Sequence, residues 1–276
     1  MNMTKHPRFA STLALFGALA FGVVYAGTGT LASSTQRDRL QTAETMFQER
    51  CKTAGEKIYR TADNVEGIFL MKVRPEKINY GDQFAMDDPY GHDSTGERYI
   101  KTFFEGFYPV PANPGPSWKR RIGYRYVEAI DPKDGKRYRY TGSVKEVTHT
   151  TSILMGGDGK TTFISKDFVL DRVPASSPMP RYGVTYDDIS TREERNYWIA
   201  GSSLKIVDLK TNEVIAERIG YMMDLGQGDI GGGRSPWLLA ARSACPAFPV
   251  APGGQSVQSD QTRNFVVKIL KPVDNK

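Results

Sequence analysis

The sequence predicts an α+β fold: a single domain on a predominantly antiparallel β-sheet, with an N-terminal amphipathic helix and a short C-terminal helix. Three observations predict it. Apolar residues recur at helical spacing over residues 35–60, tight-turn sequences join pairs of strand-like segments, and Ser235-Pro236-Trp237 reads as a capped helix start with proline at its first position.

The N-terminus sets the compartment. Lys5 and Arg8 form a short basic region, no acidic residue precedes Asp38, and an apolar run extends over residues 9–31. A basic start followed by an apolar run directs the following chain out of the cytoplasm. Val24-Tyr25-Ala26 offers a small-residue cleavage site, so residues 1–26 are expected to be a signal peptide; the competing reading is an uncleaved anchor over residues 9–31. No cysteine stands near Ser33 and Ser34 for lipid attachment. The expected location is the periplasm, the exterior, or the outer side of the inner membrane, with residues 35–276 as one β-rich domain. Membrane contact is expected only if the leader is retained.

The chain has 276 residues and a formal charge of +6; removing the +2 of Lys5 and Arg8 leaves +4. That excess is spread thinly, with no basic stripe, and excludes nucleic acid as the expected partner. Two cysteines occur, Cys51 and Cys245, and in an oxidising compartment such a pair is expected to be a disulfide. No metal is expected, because only His92 and His149 remain beyond the leader and neither has ligand spacing.

In the first helix Leu40, Ala43, Phe47, Cys51, Ala54 and Ile58 share one face. A buried strand follows over residues 65–73. Residues 75–97, rich in aspartate and glycine, read as a solvated loop, since the aspartates lack the alternate spacing of a calcium loop. Residues 99–107 read as an aromatic strand, and Pro109, Pro111, Pro114 and Pro116 as an extended connector.

Two turns, Asp131–Lys136 and Asp208–Glu213, place Gly135 and Asn212 where a left-handed residue is needed. They fix register: Glu128 opposite Arg139, Val127 opposite Tyr140, Val207 opposite Val214, Ile206 opposite Ile215, and Trp198 opposite Met223. A third hairpin is expected to turn at Gly156–Gly159 between strands 152–155 and 161–169. Ser190–Glu193 resembles a capping box, a helix is expected over residues 237–245, and a last strand over residues 264–270.

Motifs that could carry chemistry fail on context. Gly226-Gln227-Gly228-Asp229-Ile230-Gly231 matches a dinucleotide-binding pattern, but it follows a hairpin strand, and no acidic residue lies about twenty positions on. It reads as a flexible connector, and no cofactor is expected. Gly159-Lys160-Thr161 lacks the first glycine of a phosphate loop, and no Gly-x-Ser-x-Gly occurs. Adjacent pairs such as Asp87-Asp88 and Asp187-Asp188 are poor partners for acid–base work, because strand neighbours face opposite sides. His92, beside Asp88 and Asp93, is the only plausible catalytic centre. The aromatic stretch from Tyr99 to Tyr126 is expected to be largely core, with Trp118 and Arg121 as candidate binding residues, since tryptophan and arginine dominate protein interfaces.

The segments Glu49–Gly55, Val65-Glu66-Gly67, Val73-Arg74-Pro75, Arg181-Tyr182-Gly183 and 237–246 resemble a group of uncharacterised exported proteins of Gram-negative bacteria. Some of that group are encoded near secreted lipase-type toxins, so the resemblance implies an envelope immunity role. It implies no catalytic residues. The expectation is therefore a non-catalytic periplasmic protein that binds another protein as an immunity or inhibitor factor. The alternatives are an envelope hydrolase centred on His92 and a structural subunit of an envelope assembly.

Overall fold

The structure, a computed structural model, describes residues 27–76, 82–91, 94–107, 122–176, 178–248 and 258–273. The expected signal peptide lies outside them, as do His92, Asp93, Trp118, Arg121 and the proline-rich connector. No described helix is long and apolar enough to cross a membrane.

The chain divides into two units, Met1–Asp38 and Arg39–Lys276. The described part of the first is helical. Helix α1 spans Gly27–Cys51. Within the second unit its Ala43 is fully buried beside Ile199, Tyr221 and Met223. The helix does not continue to Arg60 as expected. Gly55, at φ +139°, turns the chain, and residues 55–58 form strand β1 (Gly55–Ile58), so Ala54 and Ile58 leave the helical face.

Strands β2 (Ala62–Val65) and β3 (Gly67–Leu70) follow, then helix α2 (Gly96–Lys101). The aromatic segment is thus a helix and a turn, not a strand. Tyr99 and Phe103 are four residues apart on its inner side, and both are buried. Beyond it come β4 (Tyr126–Ile130), β5 (Arg137–Thr150), β6 (Thr162–Pro174) and β7 (Tyr182–Asp188). Helix α3 (Arg192–Asn196) is opened by a capping box between Thr191 and Glu194, one residue later than predicted. Strands β8 (Ile199–Asp208) and β9 (Glu213–Met223) precede helix α4 (Pro236–Ala240) and the short β10 (Ala244–Cys245). Helix α4 starts where expected and stops five residues early, where the chain turns back to pair with β9.

Helix α5 (Ser259–Ile269) replaces the predicted last strand, and only β11 (Leu270–Pro272) is extended. The valine pair in this segment favours a strand. The buried positions Thr262, Phe265, Val266 and Ile269, however, fall three and four apart, and burial of that face decides for helix.

The nine described strands of the main sheet run β1-β9-β8-β7-β3-β4-β5-β6, with β10 also on β9. Most pairs are antiparallel, but β3 is parallel to both β4 and β7. The excursion through α2 supplies the crossover that a parallel pair needs. The register of the first predicted hairpin holds, with Glu128 opposite Arg139 and Val127 opposite Tyr140. In the second, Val207 faces Val214, then a bulge shifts the ladder, so Ile206 faces Ala216 and Ile199, not Trp198, faces Met223. The carbonyl of Ile215, freed at the bulge, accepts from the amides of Tyr59 and Arg60.

The core lies between the sheet and two helices. Ile68, Leu70, Val127, Val184 and Ile206 pack against Tyr99 and Ile100 of α2 and against Phe265, Val266 and Ile269 of α5. Each large apolar side chain fully buried there contributes about 1.5–3 kcal/mol of transfer free energy.

Candidate protein-binding surface

Strands β5 and β6 form one uninterrupted hairpin from Tyr138↔Pro174 to Thr150↔Thr162. Only its base belongs to the body, because β4 pairs with β5 no further than Tyr140. Beyond Thr141↔Asp171 the pair continues as a two-stranded arm, reaching roughly 30 Å at about 3.3 Å per residue. Alternating, β-branched sequence makes it: Val144, Val147 and Thr148 on one strand, Ile164 and Val169 on the other. Gly142 lets the ring of Phe168 lie across the arm's root, where a Cβ would sit 2.2 Å from the ring, and Phe168 in turn meets the rings of Phe104 and Phe107.

The arm ends in an apolar tip. Ile153–Met155 form a 3₁₀ turn closed by Gly156 at φ +81°, and Ile153, Leu154 and Met155 are 73%, 99% and 91% exposed. Asp158 fixes the turn behind them. Its carboxylate accepts from the hydroxyls of Thr151 and Thr161 and from the amides of Lys160 and Thr161, and these bonds hold its pKa below the usual carboxylate range. Phe163 and Ile164, 51% and 67% exposed, add one apolar side chain to each face of the arm. Three consecutive apolar side chains are thus held in water on a braced turn.

The same arm carries His149, stacked on Phe163 with ring centroids 5.3 Å apart and its Nε2 2.7 Å from Asp167. Ser165 donates to the other oxygen of Asp167 at 2.5 Å. The carboxylate stands between serine and histidine, the reverse of a nucleophile relay, in which histidine must touch the hydroxyl. The arrangement braces the ribbon.

The aspartate-rich loop is not solvated as expected. Asp88 is fully buried and accepts from Arg74 and, at 3.0 Å, from Ser202; Asp87 holds Lys72 at 3.0 Å and accepts from Tyr186; Arg195 donates to the carbonyl of Met86 at 2.8 Å. Arg74 lies against the rings of both Tyr99 and Tyr186, and Gly91 leaves it room. Burial pushes the Asp88 carboxyl up against the pull of Arg74, while Asp88 and the two tyrosines overcome desolvation to raise Arg74. The buried pair takes a second donor, Ser202, on the same carboxylate oxygen. It fastens the loop to the sheet.

The glycine motif is tied down by its own chain. Buried Asp224 accepts from the amides of Gly226 and Gly228 at 3.2 and 2.8 Å and pairs with Arg234. Amides that would cradle a phosphate already hold a carboxylate from their own chain. The dinucleotide reading fails for that reason as well as for topology. Among the described residues no cluster of three potential metal ligands occurs.

Cys51 and Cys245 are bridged, with Cα atoms 5.6 Å apart. Of the aromatics, Tyr99, Phe103, Phe104 and Tyr124 are core. The sequence predicts a strand over residues 152–155, where the structure has the exposed 3₁₀ turn. The signal was present: three apolar residues directly before a Gly-Gly-Asp-Gly turn, at the far end of strands too long for the body. No protein-family model matches the chain, nor does any curated protein or solved structure.

Proposed function

We propose that this chain is a non-catalytic binding protein of the bacterial cell envelope that seats the tip of its β5–β6 arm on another protein. The arm carries the reading: three exposed apolar side chains on a braced turn, held clear of the body by paired strands. Tip residues of this kind can act as anchors that fill a pocket, and a central anchor is worth about 2 kcal/mol or more. The export leader supports the envelope location, and the resemblance to exported, toxin-associated proteins supports an immunity or inhibitor role as its narrower form.

The test is capture from periplasmic and inner-membrane extracts with the wild-type domain and with Leu154→Ser/Met155→Ser. A specific partner should be retained by the first and lost by the second. Equal capture by both removes the arm from the function.

A further inference from the structure

We propose that the outer edge of β6 takes up an extended strand of the partner, adding it to the main sheet. This rests on the arm being the binding element and names what the arm recognises beyond its tip.

The ladder shows which backbone groups are on offer. The amide of Thr151 donates to the carbonyl of Thr161, and that of Ala175 to the carbonyl of Arg137. In an antiparallel pair hydrogen-bonded positions alternate. Odd-numbered residues of β6 therefore bond to β5, and even-numbered ones direct their N–H and C=O away from it. Among the described residues no strand pairs with that outer side. The groups left over among the described residues belong to Thr162, Ile164, Lys166, Phe168, Leu170 and Arg172, in a run of thirteen pairs without a bulge.

Proteins ordinarily blunt such an edge with charged side chains, proline, a bulge, short length or a covering loop, and β6 carries charge at Lys166 and Arg172. Here the only proline of the strand is Pro174, at its base, and the ladder shows no register shift. A long straight edge is a template for strand addition, in which main-chain bonds supply affinity and alternate side chains supply choice.

The side chains state the choice. Ile164, Lys166 and Phe168 lie on one face, and a strand pairing with them antiparallel presents opposite residues on that face. Ile164 is exposed, Phe168 half-buried, and Lys166 is an exposed cation to which no described carboxylate is bonded. The matching strand reads apolar–x–acidic–x–apolar, with the carboxylate opposite Lys166. Arg172 is already paired with Asp131, so recognition centres on Lys166.

The probe is a blocked heptapeptide, threonine-valine-threonine-glutamate-threonine-valine-threonine, added to the full domain while amide hydrogen exchange is followed residue by residue. Without peptide, Ser165 and Asp167 should exchange slowly, and Ile164, Lys166 and Phe168 quickly. Saturating peptide should slow the even-numbered set about tenfold or more, equivalent to 1.4 kcal/mol. Lys166→Pro should abolish the slowing: proline removes an outward N–H and is tolerated on an edge with its N–H side to solvent. Slow exchange at Ser165 and Asp167 verifies that the arm is intact; if it is lost, Ile164→Pro, another outward position, replaces that variant. Leu154→Ser should keep the peptide effect, which separates the edge from the tip.

No slowing in the wild type overturns the proposal, as does slowing that survives both proline variants. Protection of the even-numbered amides without peptide that disappears on dilution overturns it in favour of a second copy of this chain. If Leu154→Ser retains its envelope partner, the tip reading fails by itself, whatever the peptide does.

Discussion

The two ends of the main sheet are built on opposite plans. At one end β9 carries two short strands on a single edge: β1 beside Ala216–Ile219 and β10 beside Tyr221 and Met222. The Cys51–Cys245 bridge joins the segments that supply them. At the other end, among the described residues, β6 has a neighbour on one side only, and past the contacts of Phe168 with Phe104 and Phe107 the arm rests on β5–β6 pairing. One end is closed by short strands and a covalent tie, and the other is left open with apolar residues in water. A two-stranded ribbon is marginal alone in water, so under the proposed function stability is supplied at the closed end and contact is made at the open one.

Removing the bridge should break the closed end most severely. It spans 194 residues, and in the chain-entropy model a loop of that length contributes about 5 kcal/mol before any native strain is deducted. Cys51→Ser/Cys245→Ser should lower the unfolding free energy by an amount approaching this in a denaturant titration, with tip-dependent capture retained under native conditions. A loss below about 1 kcal/mol would mean that the clamp is redundant and the contrast between the ends is false.

Next in size is the buried pair under the aspartate loop. Asp88→Ala leaves the guanidinium of Arg74, 1% exposed, without its carboxylate. Breaking such a pair from one side costs roughly 4 kcal/mol, because an uncompensated charge stays buried. Arg74→Met/Asp88→Leu should recover most of that loss, since a buried ion pair contributes little over apolar residues of similar volume. Failure to recover would show that the pair also sets the loop's conformation.

These features differ in how far the sequence displays them. Turn chemistry is local, so Gly135 and Asn212 are found at φ +67° and +57° and the first register is right. The bulge at Ile215 is not local: it answers the amides of Tyr59 and Arg60, which arrive from β1, and nothing near Ile206 announces it. Export and parity foretell the disulfide. The burial of Asp88 was hidden because an aspartate-rich loop looks solvated until its partners, Arg74 and Ser202, are known. The tip was hidden for another reason: apolar residues in a strand-like run are read as core, and exposure is a property of the whole fold.

The acid limb of stability should come from the body. Asp208 is fully buried at the start of the β8–β9 turn, bound by Arg181 and Arg60. The bonds from Arg181, opposed by desolvation, hold its pKa below the usual carboxylate range. A carboxyl whose folded pKa is depressed stabilises the fold above its unfolded pKa and loses that contribution as pH falls through the folded one. Wild-type stability should therefore decline from about pH 4 downward, and Asp208→Asn should be less stable at pH 7 but flatter over that window. Parallel curves for the two proteins would assign the acid sensitivity elsewhere.

The smallest effect on stability belongs to the tip, and it decides the comparison. Leu154 is 99% exposed and Met155 91%, so folding removes almost none of their surface from water. Leu154→Ser/Met155→Ser should change the unfolding free energy by no more than about 0.5 kcal/mol, the range for surface positions. The same variant should weaken partner capture by about thirtyfold, the equivalent of a 2 kcal/mol anchor. The disulfide variant should show the reverse: a large loss of stability and little loss of capture. Stability and binding would then be separable by position along one sheet. If instead the tip variant unfolds as readily as the disulfide variant, the apolar turn packs within the protein, and the open end is part of the core after all.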